Sequence, residues 1–430
     1  MAYPTLSERL RSGTEVLGHF WLAEQRESVE GHSAAGVARW TPDGGTYLQL
    51  IGPLDGWPKE VSGPFRVVHG VTTEGDELTL LNATVASVSF PTHSRMALRS
   101  YTTVVGDHAM PDDRWERVVV RTANLHEWLP ETGIDTPSHE FDERGQTTHL
   151  AVSWKPPDAR SVELEAAELR FAPVMRTEWS YSPDWSIRTS LEVAAVAEQP
   201  QTIEQLYVDY AAPLLGLLVF AGDRPDALTR EVVRDPAGER RGEILRAGRQ
   251  VESRDWRPAS GYLFSADDLP DFEKGIHDWF ELHAAVGPAL NKFTDTLLTG
   301  NVYTDARLVE LATALEAYAA ARHSKPGDNA LKKLERLRDY AALPANTSWA
   351  KPRNLKLIVA SRNYLAHLTP PIYGFAVDEI RAEVFETTRR AQALMQLCLL
   401  RELGFEPERA RELLEKHYSN WPLPEGRVAP

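Results

Sequence analysis

The chain has 430 residues, 42% of them apolar and 25% charged, and a net charge of −15. That composition is globular, the length suits about two or three domains, and the single cysteine, Cys398, excludes an internal disulfide framework or a thiolate metal cluster. The longest apolar run covers 211–221, short of the about 20 residues that cross a bilayer. The opening Met1-Ala2-Tyr3-Pro4 has neither the basic nor the apolar stretch of a secretory signal. A cytoplasmic protein with no membrane partner is therefore expected.

From Gly18 to Val196 the chain reads as short strands and turns. Strand candidates are Tyr47–Leu50, Phe65–Val71, Leu78–Phe90, Met96–Val105, Arg117–Thr122, His149–Trp154 and Trp185–Val193, all rich in Val, Thr, Tyr or Trp. Val162, Leu164 and Ala166 alternate with Glu163 and Glu165, the period of a half-buried strand. Asp43-Gly44-Gly45, Glu74-Gly75-Asp76 and Gly106-Asp107 mark turns. Strands so spaced predict an antiparallel sandwich or barrel, and no Gly-rich loop forms a nucleotide-binding fingerprint. The pattern changes at Ile203, where Leu206, Tyr207, Tyr210, Leu214 and Leu217 follow at helical spacing despite Pro213. Arg230–Ser260 reads as a hairpin or a linker. Beyond Leu269 only helices are predicted: Phe272–Leu298, Asp305–Arg322, Asn329–Tyr340, Pro352–Leu368, Asp378–Leu403 and Pro407–Tyr418. Gly300, Pro326-Gly327, Pro344, Pro370-Pro371 and Gly404 punctuate them. The expected fold is α+β and multidomain: a β-rich region over 1–255, divisible into 1–145 and 146–255, then an all-α bundle over 256–430.

Charge is uneven along this order. Asp271–Pro430 holds 21 basic and 21 acidic residues, so the first 270 residues carry the whole deficit. Between Arg322 and Arg362 ten basic residues meet only Asp328, Glu335 and Asp339, a local +7. Two halves with different partners follow from this asymmetry. Lys332, Lys333, Arg336, Arg338, Lys351, Arg353 and Lys356 are the candidates for contact with the phosphates of a polyanion; a solvated helix face would need the same residues.

Within that neutral half, Ser361-Arg362-Asn363-Tyr364-Leu365-Ala366-His367 lies on a helix that Pro370-Pro371 ends. Asn363 and His367, four apart, share a face, and Arg362 lies about 140° around the axis from His367. Leu357, Ile358, Leu365 and Leu368 line the other side. An imidazole can exchange a proton with a ribose 2′-OH or a leaving 5′-oxygen near neutral pH. A guanidinium can clamp the scissile phosphate in two-pronged fashion and offset charge developing on it. His367 falls in the last turn, where the helix dipole favours a cation.

Arg362-Asn363-Tyr364-Leu365-Ala366-His367 resembles the R-x4-6-H motif of HEPN ribonuclease domains. The upstream helix Leu308-Val309-Glu310-Leu311-Ala312-Thr313-Ala314-Leu315-Glu316-Ala317-Tyr318 is similar to the Ala-Leu-Glu helix of their ApeA-like branch. Gly18-His19-Phe20-Trp21, Phe65–Gly70, Leu78–Asn82 and Leu125-His126-Glu127-Trp128 resemble the N-terminal domain fused to such bundles. The resemblance runs from about Val16 to Leu414. It implies an anti-phage, abortive-infection endoribonuclease. Such an enzyme dimerises through its helical half and cleaves RNA, tRNA or another structured RNA, without metal or cofactor. His367 would be the acid/base, Arg362 the phosphate clamp, Asn363 a helix-orienting or phosphate-binding group, and Glu316 a support for Arg362. The N-terminal region would sense a trigger such as a phage protein, or restrain the nuclease. Thr369 stands where some HEPN toxins carry a regulatory Tyr, which puts that regulation in doubt. A non-catalytic HEPN module that binds RNA or protein is the alternative, and a carbohydrate-binding β-domain with a helical dimerisation tail is a third reading.

The remaining candidates read as structural. His277 and His283 are six apart with no evident carboxylate pair, so no metal site is expected. Trp179-Ser180-Tyr181-Ser182-Pro183-Asp184-Trp185 fits a sheet core or edge better than a stacking platform. Cys398 lies on an apolar helix face and reads as core, and no nucleophile elbow is present.

Overall fold

The computed structural model describes residues 4–25, 33–52, 54, 66–88, 95–130, 133, 138–151, 153–179, 185–248, 261–298, 304–343 and 351–418. They form two units, one of 1–126, 130–211 and 227–253, the other of 127–129, 212–226 and 254–430.

The first unit is built on antiparallel strands. After a capped helix α1 (Leu6–Arg11) come β1 (Val16–Leu22), β2 (Ala34–Thr41), β3 (Gly45–Ile51), β4 (Arg66–Thr72), β5 (Glu77–Val88), β6 (Arg95–Ser100), β7 (Thr102–Val105) and β8 (Trp115–Thr122). β9 (Ser138–Phe141) and β10 (Thr147–Ala151) pair only with each other. β11 (Arg160–Glu163), β12 (Ala167–Trp179), β13 (Trp185–Gln201), β14 (Leu228–Arg234) and β15 (Arg241–Arg246) complete the set. The order β5-β4-β1-β2-β3-β6 closes into a six-stranded barrel because β6 also pairs with β5. Phe20, Trp40, Leu48, Leu50, Val68, Leu78, Leu80 and Leu98 fill its interior. Gly70 leaves room for one of them, since a Cβ there would stand 2.4 Å from the Phe20 ring.

β5 serves two sheets. Its Thr84–Val88 stretch pairs with β6, whereas Leu78–Leu81 pairs with β7 and so continues into β7-β15-β14-β8-β13-β12-β11. Asn82, between the stretches, has a positive φ of 53°, a conformation Asn tolerates better than most residues. The predicted single strand Met96–Val105 is broken at Tyr101 for the same reason. Ser100 Oγ donates to Leu81 O at 2.6 Å as the chain leaves the barrel. The alternation at 162–166 spans the end of β11 and a hairpin turn rather than one strand. β1, β2, β9 and β12 escape the sequence reading; β2 opens on Ala34-Ala35-Gly36-Val37, too poor in large side chains to advertise itself. Arg230–Ser260 contributes the β14–β15 hairpin, and its end, 249–260, lies outside the described residues, as do 180–184 of the Trp/Tyr cluster.

The second unit is helical: α2 (Ala212–Gly222), α3 (Phe272–Leu298), α4 (Thr304–Arg322), α5 (Ala330–Tyr340), α6 (Pro352–His367), α7 (Val377–Glu402) and α8 (Pro407–His417). α2 follows a helical turn, Ile203–Leu206, and a π-turn, Tyr207–Ala211. The wider turn admits Pro213, which has no N–H to give and whose ring would meet the carbonyl four residues back. The continuous run Ile203–Gly222 is long and apolar enough to cross a membrane, yet α2 is buried on nearly every side within its unit. Phe220 stacks on Trp279 at 5.7 Å, and Trp279 Nε1 donates to Pro213 O at 2.8 Å. α3 has the predicted range, Phe272–Leu298, but is kinked. Val286 departs from helical geometry (φ −134°, ψ 23°) two residues before Pro288, where the helix ladder loses a donor.

Two carboxylates, each with 9% of its side chain exposed, tie these helices together. Asp223, just past α2, accepts from Gln392 and Gln396 of α7 (2.6 and 2.8 Å) and from His417 and Tyr418 at the end of α8 (3.1 and 3.2 Å). Glu402, ending α7, accepts from Tyr318 at 2.7 Å and Arg322 at 2.9 Å, with His323 at 3.6 Å. Burial alone would raise the Glu402 pKa, but the nearby His323 and hydrogen bonds from Tyr318 and Arg322 hold it down at about 2. Cys398 is buried beside this cluster, as expected, and burial pushes its thiol pKa up.

A depressed carboxylate pKa adds stability that is present above the unfolded-state value and is lost as pH falls through the folded one. Glu402→Gln should therefore cost about 1.5–3 kcal/mol near pH 7, as lost hydrogen bonds to a charge do. Its deficit against wild type should shrink between the ordinary glutamate value of 4.5 and about 2. Urea unfolding at stepped pH reads this; a pH-independent deficit would mean that the charge is not the source.

Candidate functional site

α6 starts on Pro352, which suits a first helical position, and ends where Leu368 turns left-handed at φ 53°, its N–H closing on Tyr364 O at 2.7 Å. One face of its first three turns is core, with Leu355, Leu357, Ile358, Val359, Ala360 and Ser361 all buried. The last turns emerge: Arg362, Asn363, Tyr364 and Leu365 are half-buried, and Ala366 and His367 are exposed. Leu365 and Leu368 thus leave the predicted buried stripe, Leu368 at 80% exposure, because the helix has run past the core.

Arg362 points toward α4, where Glu316 Oε1 lies 3.6 Å from its Nε. That is an ion pair rather than a hydrogen bond. Its Nη1 donates to Asn363 Oδ1 at 2.9 Å. Glu316 is half-buried, on a helix whose Leu308, Leu311, Leu315 and Tyr318 are core. Arg362, Asn363 and Glu316 are thus brought together. His367 stands at the free helix end, offering an imidazole to solvent with no contact to the other three.

The phosphate-binding candidates divide in two. Arg336 is held by Asp328 (2.5 Å), Arg338 by Asp339 (2.7 Å) and Arg353 by Glu379 and Glu383 (2.5 and 2.9 Å). The Arg336 hydrogen bond and that of the Lys325 N–H pull Asp328 down to about 2. Lys332, Lys351 and Lys356 are exposed and Lys333 half-buried, and none makes an ion pair among the described residues. Thr369, at the position of the toxin Tyr, approaches Asn363 O at 3.5 Å.

Other polar groupings lie away from the motif. A cavity of about 530 Å³ in the helical unit is lined by Asn291, Lys292, Asp295, Arg307 and Glu310 among others, without Arg362 or His367. A second, of about 510 Å³, lies on the outer face of β1 and β4, where His19, Trp21, His69 and His108 gather. His69 and His108 stack at 4.7 Å there. The resembling Gly18-His19-Phe20-Trp21 stretch thus sends Phe20 inward, while His19 and Trp21 line this cavity. His277 does have carboxylates near it, Asp278 and Glu281, within 4.8 Å of one another. All three are neighbours on one half-exposed face of α3, and Asp278 also takes Lys274.

Searches of the curated proteins and of the solved structures each found no match. Two family descriptions do match: "Apea-like HEPN" over residues 309–409, which spans Glu316, Arg362, Asn363 and His367, and "ApeA N-terminal domain 1" over residues 15–279. The second covers more than half of the chain, so the β-barrel unit and the helices after it belong to the ApeA family, an ApeA N-terminal domain followed by an ApeA-like HEPN domain.

Proposed function

We propose that this protein is a metal-independent endoribonuclease of anti-phage, abortive-infection defence, restrained or triggered through its N-terminal domain. The observation that carries the reading is the exposed His367 at the end of α6, one turn beyond an Arg362 that Glu316 and Asn363 hold. The 2′-oxygen attacks phosphorus as its proton passes to a neutral imidazole, and the P–O5′ bond breaks as a protonated imidazole gives its proton to the leaving 5′-oxygen. The products are a 2′,3′-cyclic phosphate and a 5′-OH. Arg362 offsets the charge that develops on the phosphoryl oxygens. Acid and base are needed at once, and one chain offers one motif, so an isologous homodimer that pairs two α6 ends supplies both. The substrate is RNA, tRNA or another structured RNA. Lys332, Lys333, Lys351 and Lys356 draw in its backbone, with Arg336, Arg338 and Arg353 contributing once their carboxylates yield them. The site is a cytoplasmic one and uses no cofactor.

His367→Ala and Arg362→Ala should each reduce RNA cleavage in EDTA by about 10²–10⁴-fold while retaining cooperative unfolding. End-group analysis of the wild-type products checks the chemistry, and wild-type rates from either variant would refute it. Sedimentation should find a dimer; a fully active monomer would remove the paired-motif mechanism. Glu316→Ala should change stability by no more than about 1 kcal/mol, because its partner is partly solvated. It should nonetheless slow cleavage by releasing Arg362. A loss of several kcal/mol in urea unfolding would make Glu316 a packing residue instead.

A further inference from the structure

Arg381 of α7 stands beside the motif, unclaimed by any carboxylate. Its Nη2 donates to the Tyr364 hydroxyl at 3.3 Å, its side chain is exposed, and it makes no ion pair among the described residues. The other guanidinium groups of this corner are engaged: Arg353 with Glu379 and Glu383, Arg390 with Glu383, and Arg362 with Glu316. Tyr364 is a fixed support for it, packed against the buried Leu357, Ala360 and Ile380 together with Phe375.

Placement around α6 gives this cation a role. At about 100° per residue, Arg362, Asn363, His367 and Tyr364 fall at about 0°, 100°, 140° and 200°. The imidazole therefore lies between two guanidinium groups, Arg362 on the α4 side and Arg381 on the α7 side. Tyr364 and His367, three apart, are neighbours with Cβ atoms about 5–6 Å apart. An RNA strand whose scissile phosphate meets Arg362 and His367 carries its next phosphate away from that point, and Arg381 is the open guanidinium on the far side.

We propose that Arg381, oriented by the Tyr364 hydroxyl, binds an RNA phosphate flanking the scissile one. The proposal rests on the ribonuclease reading above and adds a substrate-binding residue to it. Arg381 makes a ground-state contact to a phosphate that does not react. Its loss accordingly weakens binding of substrate and transition state alike and falls on KM rather than kcat.

The test uses the full chain. Arg381→Ala should raise KM for RNA roughly tenfold, the size of one charge-assisted hydrogen bond, with the effect on kcat the smaller one. Tyr364→Phe, which keeps the ring, should move KM in the same direction by less. In a His367→Ala background, where RNA binds without being cut, Arg381→Ala should lower the slope of log Kd against log salt by about 0.7, one single-strand phosphate contact. An unchanged KM and slope would overturn the proposal. So would sedimentation showing that Arg381→Ala weakens self-association, because the guanidinium would then belong to a protein interface. Failure of the ribonuclease reading looks different: wild type and His367→Ala would cleave alike, whatever happens at position 381.

Discussion

A single, largely buried carboxylate sets the frame in which the motif helix sits. Glu402 closes α7, and the groups that converge on it come from the end of α4 and the residue after it: Tyr318, Arg322 and His323. A carboxylate in that position is costly to bury unless its lone pairs are filled. Satisfying it fixes the register of α4 against α7. Both helices then act on α6, since α4 carries Glu316, which faces Arg362, and α7 carries Ile380 and Arg381, which flank Tyr364. His323 also packs on Tyr340 at 4.1 Å, which brings the end of α5 into the same node. The Arg362 guanidinium is thus met by a carboxylate on α4, not by one on the helix that carries the motif.

The helical unit was legible in the sequence because its signals are local. Pro352, Pro370-Pro371, Gly404 and the N-cap Asn329 mark boundaries that the structure reproduces to within a residue or two. The kink at Val286 was legible too in principle, through Pro288, but a strong apolar period on both sides hides a break of one residue. In the β unit the signals are not local. That β5 splits its partners at Asn82 depends on a left-handed residue and on pairings with Arg95–Ser100 and Thr102–Val105. No window along the chain contains that information, so the barrel could be expected only as one of two antiparallel architectures.

The site divides along the same line. Arg362 and His367 were visible as a spacing on one helix, and Asn363 with them. Glu316, 46 positions upstream of Arg362, had only a family likeness to recommend it, and it is distance in space, 3.6 Å, that joins the two. Arg381 gave no signal at all. It belongs to no motif, and its interest arises from what does not neutralise it, which is a property of neighbours on other helices. His19 and Trp21 share with Phe20 the family likeness of the Gly18–Trp21 stretch; that alternate residues of β1 face opposite sides of the barrel wall is what separates them from Phe20.

Charge counting along the chain was the least reliable guide, for a reason with consequences. The ten basic residues between Arg322 and Arg362 divide by type: all five arginines are in ion pairs, with Glu402, Asp328, Asp339, Glu379 and Glu383, and Glu316. The five lysines, Lys325, Lys332, Lys333, Lys351 and Lys356, have no such partner among the described residues. The division follows from chemistry, because a planar guanidinium matches carboxylates in a fixed geometry while an ammonium on a flexible stem remains a hydrated point charge. Each of these arginine charges is thus offset by a carboxylate of the helical unit, and the uncompensated positive charge of this stretch is that of its lysines. Such charge attracts a phosphate backbone without reading its shape or sequence, and the attraction weakens steeply with salt. On the proposed ribonuclease reading, selectivity among RNA substrates would come from Arg362 and Arg381 about the imidazole of His367 rather than from the basic stretch.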